Sequence, residues 1–337
     1  MKLTFLGTGT SAGVPVLGCP CEVCHSEDPH DKRYRTAAML EVDSTRLLID
    51  CGPDIRMQLM PHPFLPFDGV LLTHIHYDHV GGMDDLRGYC VFGDINVYAD
   101  EQTAEALHTT MPYCFTKVLY PGVPRLCLHA IRPHEPLIIR DATIVPFTVM
   151  HGKLPILAYR IGKLAYITDM KTIDDGELQY LDGIDTLVVN ALRFDKPHHS
   201  HQLVDDAVAF ARRVGARRTY LIHLTHEIGF HDEANKRLAV SNNNLQKANE
   251  NLHYAEVGFR EGVIPASELL EAQTAWLDAQ NQKIDAQIDI RLTETTLLKA
   301  LGQFQGRLGQ LGDLFEHFAA AGVEPYVLEK RVDAPPF

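Results

Sequence analysis

Three imidazoles and a carboxylate fall within the six residues His74 to His79 of the stretch Thr73-His74-Ile75-His76-Tyr77-Asp78-His79, directly after the apolar run Val70-Leu71-Leu72. A strand that ends in such a cluster delivers nitrogen and oxygen metal ligands to one point, and Gly81-Gly82 behind it lets backbone pack close. Surface histidines have no reason to alternate and then add Asp-His at the end of a buried strand. The pattern therefore demands a fold that carries metal ligands on the lip of a sheet.

Up to about residue 238, short apolar runs alternate with helical ones in an order that suits two sheets sandwiched between helices, an α/β class. Lys2 to Leu6 alternates at period two and is followed by the loop Gly7-Thr8-Gly9-Thr10-Ser11. Ala37 to Val42 and Arg46 to Asp50 read as a hairpin about Asp43-Ser44, and Ile95 to Ala99 as a strand before a helix near Glu101 to Thr109. A second hairpin, Leu137 to Arg140 and Thr143 to Val149, runs into His151. A third, Leu157 to Ile161 and Leu164 to Thr168, runs into Asp169. Leu187 to Asn190 is a strand, Leu203 to Val214 a helix, and Thr219 to Ile222 a strand ending at His223. Ligand-type side chains thus recur where strands stop, which is where a rigid scaffold can hold a site.

With 45% hydrophobic and 22% charged residues over 337 positions, the chain can bury a sizeable core. There is no run of eighteen apolar residues and Met1-Lys2-Leu3-Thr4 leads straight into a strand pattern, so neither a membrane span nor a signal peptide is expected, and a cytoplasmic location is. A net charge of −13 speaks against a broad nucleic-acid surface. Of seven cysteines, Cys19, Cys21 and Cys24 lie close together, and in a reducing compartment metal is expected there rather than disulfide. Cys51, Cys90, Cys114 and Cys127 are isolated and read as small buried hydrophobes.

Taken together, His74, His76, Asp78, His79, His151, Asp169 and His223 resemble, in order and spacing, the seven ligands of binuclear metallo-β-lactamase-fold hydrolases. That resemblance implies an αββα sandwich in which His74, His76 and His151 hold one metal, Asp78, His79 and His223 hold the other, and Asp169 bridges them. Zinc or manganese suits such a site. Within the superfamily, Gly18-Cys19-Pro20-Cys21-Glu22-Val23-Cys24, with His226 three residues beyond His223, resembles the PhnP family. The resemblance implies a structural zinc at Cys19, Cys21, Cys24 and His226, because Cys3His is a closed tetrahedral set. It further implies hydrolysis of a small cyclic phosphate, of the phosphoribosyl 1,2-cyclic or nucleoside 2′,3′-cyclic type, by a metal-bridging hydroxide. The general acid it points to lies in Lys196-Pro197-His198-His199-Ser200-His201-Gln202 and is assigned to His201, with His199 and His198 as rivals. Lys153 and His199 are candidate substrate-binding residues, and loop residues Thr10 to Gly13 are candidate phosphate donors.

Beyond Leu238 the composition changes, and a polar helical sequence is expected from about Ser241. Leu245, Ala248, Leu252, Ala255 and Phe259 form a seam, Gly262 and Pro265 break it, and a second helix should run to about Leu301 with Leu270, Leu277 and Ile284 at seven-residue spacing. This pair resembles the helical hairpin of TolC-type outer-membrane efflux factors. Residues 1–240 are accordingly expected to form the hydrolase domain, 241–302 a coiled-coil hairpin without transport activity, and 303–337 a tail of unknown role. No final strand is found, so the hairpin is expected to cover a sheet edge or to join copies into a homo-oligomer. Two other functions compete: transfer-RNA 3′ processing, and an adaptor acting through the hairpin.

Overall fold

A computed structural model of the chain describes residues 1–116, 120–281 and 289–292, the side chains of 237–249 and of 277 onward excepted. One sheet runs in sequence order through β1 (Lys2–Gly7), β2 (Ala37–Val42), β3 (Thr45–Ile49), β4 (Gly69–Leu71), β5 (Ile95–Ala99) and β6 (Leu126–Ala130). Its first two pairings are antiparallel and the rest parallel. The other holds β7 (Leu137–Ile139), β8 (Ala142–His151), β9 (Leu154–Ile161), β10 (Leu164–Tyr166), β11 (Thr186–Asn190), β12 (Arg218–Ile222) and β13 (Asp289–Leu292), also in sequence order across the sheet. β6 escaped the sequence reading because its residues are half-buried or exposed and give no clear alternation.

The period-two pattern builds the layers. In β3, Leu47 and Ile49 face the second sheet and meet Tyr159, Tyr166 and Val188, whereas Leu48 faces outward. In β11, Val188 faces inward and Leu187 and Val189 outward. The helices are α1 (Glu22–His25), α2 (Ile55–Leu59), α3 (Tyr77–Val80), α4 (Glu101–Thr110), α5 (Val204–Val214), α6 (His231–Arg260) and α7 (Ala266–Asn281). Residues of α2, α3 and α4 cover the outer face of the first sheet; Val204, Ala207, Val208 and Ala211 of α5 cover that of the second. The result is the four-layer αββα sandwich.

The C-terminal region departs from expectation. The first helix begins at His231 rather than near Ser241, because its N-terminus is fixed by tertiary contacts: the His231 N–H donates to buried Asp31 at 2.7 Å and the imidazole stacks on His30. α7 packs against α6 but ends at Asn281, and β13 occupies positions where the second helix was expected to continue. β13 adds to β12 in parallel, Leu221 opposite Leu292, so the segment expected to be wholly helical supplies an edge strand. Within the expected seam, Leu270 is 64% and Phe259 45% exposed. Ile284 and the tail 303–337 lie outside the described residues, as do the side chains of Leu245, Ala248 and Leu277.

Candidate active site

Four strands of the sandwich end at one place. β4 leads through Leu72-Thr73 into His74 and the N-terminus of α3, β8 ends on His151, β10 leads through Thr168 to Asp169, and β12 leads into His223. Asp50, Asp169 and His223 all take left-handed backbone, at φ of +60°, +55° and +58°. Few non-glycine residues take this conformation, and Asp and His are among those that tolerate it best; here it marks the points where the strands stop.

The donor atoms fall into sets: His74, His76 and His151; Asp78, His79, Asp169 and His223; and His151, Asp169 and His201. Within each set one ligand atom per residue lies within 4.8 Å of the others. Asp169 faces His79 Nε2 at 3.2 Å with one oxygen and His223 Nε2 at 3.0 Å with the other, while Asp78 stands 3.3 Å from His79 and 3.5 Å from His223.

The outer nitrogens show how the rings are aimed. Carboxylates and carbonyls only accept, so the ring nitrogen facing one must carry the proton. His79 Nδ1–H donates to Asp50 at 2.7 Å, and His151 Nδ1–H donates to the Asp169 and Ser200 carbonyls at 2.8 and 3.0 Å. The Thr73 hydroxyl donates to Asp50 at 2.9 Å and so accepts from His74 Nδ1 at 3.0 Å. His74 and His151 therefore turn a lone-pair Nε2 inward, and His79, whose Nε2 faces Asp169 and Asp78, would do so once a cation displaced the proton held there. The sequence reading missed Asp50, which is fully buried and orients a ring of each set: His79 directly and His74 through Thr73. The only signal was an acid at the end of Leu47-Leu48-Ile49.

Left to itself this arrangement is electrostatically incomplete. Among the described residues, His223 Nδ1 is buried without a hydrogen-bond partner, the buried Nε2 atoms of His79 and His223 meet the Asp78 and Asp169 carboxylates without good hydrogen-bond geometry, and His74 Nε2 faces His76 Nδ1 at 3.0 Å. Burial alone would lower His79 and His223, yet Asp169 with its neighbouring carboxylates drives His79 well above its ordinary value and carries His223 up to about 9. Asp169, which burial would raise, is held well below the carboxylate range by His223 and His79. Protons thus stand where cations would restore balance, and the donor set fits divalent metal.

At the second cluster, His226 Nδ1 lies 3.4 Å from Cys19 Sγ and 3.1 Å from Cys21 Sγ, with Cys24 completing the group. N–H groups of Cys24 and Val16 reach the sulfurs of Cys21 and Cys24 at 3.4 and 3.3 Å. The hydrogen bond to His226 lowers the Cys21 thiol to about 6, whereas burial pushes Cys24 up to about 11. Three sulfurs and one nitrogen at these separations fit a tetrahedral ion. Of the isolated cysteines, Cys51 and Cys114 are buried, Cys90 is half-buried and Cys127 is exposed.

His201 is 8% exposed, its ring 4.7 Å from that of His223 and 4.6 Å from that of His151, with Nδ1 3.7 Å from Asp169. Burial, reinforced by His223, lowers it to about 2. Its rivals lie farther out: His198 is half-buried and His199 exposed. Lys153 and His199 line a cleft of about 610 Å³ together with His76, His151 and Lys171. The glycine-rich loop is differently engaged than expected, since Thr10 N donates to the Leu224 carbonyl and Gly13 N to that of Thr10.

Comparison with known proteins agrees with this architecture. The beta-lactamase superfamily domain model matches residues 45–224, and the outer membrane efflux protein model matches residues 231–303. A crystal structure described as a new diphosphatase from the PhnP family superposes with a TM-score of 0.64 at 37% identity, covering 70% of this chain and 90% of that one. Zn(2+)-bound PqqB from Methylobacterium extorquens shares the fold at a TM-score of 0.57 and 18% identity, covering 70% and 95% of the two chains. An octanoyltransferase from Porphyromonas gingivalis is 44% identical over 234 residues, which are 69% of this chain and 48% of that protein. The chain thus spans about half the length of that relative.

Proposed function

Because the chain belongs to the PhnP family of the metallo-β-lactamase superfamily, we propose that it is a binuclear metal-dependent hydrolase of a small phosphodiester, of the phosphoribosyl 1,2-cyclic or nucleoside 2′,3′-cyclic phosphate type. The observation that carries this is the pair of ligand sets meeting at Asp169, each with ring nitrogens turned inward, beside a cleft that holds two lysines. His74, His76 and His151 would hold one divalent ion and Asp78, His79 and His223 the other, with Asp169 shared; zinc or manganese fits these donors. Such ions supply an ionised water and neutralise phosphoryl oxygens. Cys19, Cys21, Cys24 and His226 would hold a structural zinc, which fits reduced thiols and a cytoplasmic location.

His201, beside His151, Asp169 and His223, would protonate the leaving oxygen. Burial and His223 favour the neutral form of His201, and the negative charge of a bound phosphate would favour the protonated one. Lys153 and His199 would hold the phosphate from the cleft wall. A diphosphate bond is the second reading, favoured by the likeness to the PhnP-family diphosphatase. Acyl transfer is not carried over from the octanoyltransferase, of which this chain spans less than half.

Turnover of bis-p-nitrophenyl phosphate, nucleoside 2′,3′-cyclic phosphates, ribosyl 1,2-cyclic phosphate and a dinucleotide diphosphate, with metal content measured in parallel, tests both readings. A metal-replete protein that cleaves none of them would refute them. His201→Ala should retain its metals and lose roughly 10²- to 10⁴-fold in rate on a ribose leaving group, but far less on p-nitrophenolate, which needs little protonation. Equal losses on both would remove His201 from that role and make His199 the next residue to test.

A further inference from the structure

The His201 ring is not anchored as that of His151 is. Two carbonyls hold the His151 Nδ1–H, whereas the buried Nδ1 of His201 has no hydrogen-bond partner among the described residues and stands 3.7 Å from Asp169, too far for one. Where that ring stands is therefore set by the backbone of the loop that carries it. The loop runs from Leu192 to Gln202 and is closed at its base, the Leu192 N–H donating to the Gln202 carbonyl at 2.9 Å and the Val204 N–H to that of Arg193 at 3.0 Å. Between these ends it turns at Lys196, whose φ of +64° a lysine adopts only where its surroundings hold it.

Glu227 meets that turn from outside. One of its carboxylate oxygens accepts from the Arg193 guanidinium and the other from the Lys196 ammonium, and the Arg193 Nε–H donates to the Lys196 carbonyl at 3.0 Å, so one guanidinium ties the turn to the carboxylate. Thr225 fastens the same segment to the base of the loop: its N–H and hydroxyl donate to the Leu192 carbonyl at 3.0 and 3.2 Å, and the hydroxyl accepts from the Glu227 N–H at 3.2 Å. Glu227 directly follows His226, so its own backbone is anchored in the cysteine cluster. Lys196 and Arg193 hold the Glu227 carboxyl below its ordinary value, which keeps it charged at neutral pH. Surface ion pairs add little to stability, because water and salt screen them, and with Arg193 17% and Glu227 27% exposed this one is only partly shielded. Its consequence is placement. We propose that Glu227 is the positioning residue for His201: through Arg193 and Lys196 it holds the loop where the His201 ring meets His151, Asp169 and His223. This rests on the hydrolase reading in one respect, that His201 serves as its general acid.

The test uses the full metal-loaded chain with Glu227→Gln, Arg193→Met and both together. Hydrogen exchange needs no turnover: amides between residues 193 and 201 should exchange about 3- to 10-fold faster in Glu227→Gln, the worth of two partly shielded ion pairs, with those of α5 unchanged. Equal exchange in wild type and variant would overturn the clamp whatever the protein hydrolyses. In turnover, kcat on a nucleoside 2′,3′-cyclic phosphate should fall by the same factor with KM unchanged, while bis-p-nitrophenyl phosphate, whose leaving group needs little protonation, should lose almost nothing. A lowered unfolding midpoint with equal losses on both substrates would mark a merely structural role and sink the proposal. Arg193→Met should lose about as much as Glu227→Gln, and the double variant no more than either, as two halves of one contact do; additive losses would separate Arg193 from Glu227 and refute the clamp. Faster exchange in a protein that cleaves neither substrate would uphold the clamp and refute the hydrolase reading alone.

Discussion

At the scale of single residues, the site depends on Asp50 as much as on the side chains that face its centre. This fully buried carboxylate accepts from His79 Nδ1, from the Thr73 hydroxyl and, at 2.8 Å, from the Thr73 N–H. Asp50→Asn puts an amide that also donates where only an acceptor serves. Removing such an orienting partner typically costs about 10- to 100-fold in metal affinity or activity, so the variant should bind the active-site metals weakly while keeping the ion of the Cys19, Cys21, Cys24 and His226 set; metal analysis after dialysis checks both. A second expectation concerns pH. His223, carried up to about 9 from an ordinary 6.5, stabilises the metal-free protein fully below pH 6.5, and that contribution is lost as pH rises through about 9. A metal ion must displace this proton and the one held on His79, so affinity should rise with pH through about 9. Calorimetry in two buffers of different protonation enthalpy should detect the released proton near pH 7; uptake without release would exclude His223 as a ligand.

At the scale of elements, the short helix α3 aims His76, Asp78 and His79 only because two stretches of backbone touch. A Cβ on Gly82 would lie 2.0 Å from the Gly52 carbonyl and 2.6 Å from Ile55, and one on Gly52 would lie 2.1 Å from the Asp78 carbonyl. Gly82→Ala should therefore destabilise the fold by about 1–3 kcal/mol, as overpacking does. Gly88→Ala, with nothing within 4 Å of the new methyl, is the control and should be close to neutral in urea denaturation. The glycines behind the histidine motif were legible in the sequence; their opposing surface at Gly52, thirty residues upstream, was not, because no local pattern encodes a long-range approach. The start of α6 was missed for a similar reason. His231-Asp232-Glu233 carries no apolar periodicity, and the helix is set by the bond from His231 to Asp31.

At the scale of the molecule, the efflux-like segment is joined to the hydrolase sandwich without a break, through α6, and returns to it as β13. Ala234 packs in the core beneath α5, and the seven active-site candidates precede it. A chain ending at Leu238 should accordingly keep its metals and its activity, yet β12 would then expose an unpaired parallel edge, which invites association. Sedimentation of the shortened and full chains at several concentrations checks this: a shortened chain that stays monomeric would show that β13 protects nothing, and a soluble, metal-replete one without activity would place a catalytic contribution in the C-terminal segment. No described helix is long and apolar enough to cross a membrane.

By itself the sequence determined the inventory of candidate donor side chains and the layer order. Histidines and aspartates at the ends of apolar runs, and cysteines two and three residues apart, are local patterns, and period-two alternation states which side chains each sheet must bury. Tertiary structure alone decided the rest. Which nitrogen of each imidazole faces inward depends on Asp50 and the Ser200 carbonyl, which come from other strands and loops, and on the adjacent Thr73 hydroxyl, which Asp50 orients toward His74. Lys171 became visible only when the pairing of Met150 with Thr172 carried it to the cleft wall. The edge strand β13 is recognisable only by its pairing with β12, seventy residues earlier, since four residues have too little pattern to declare a strand.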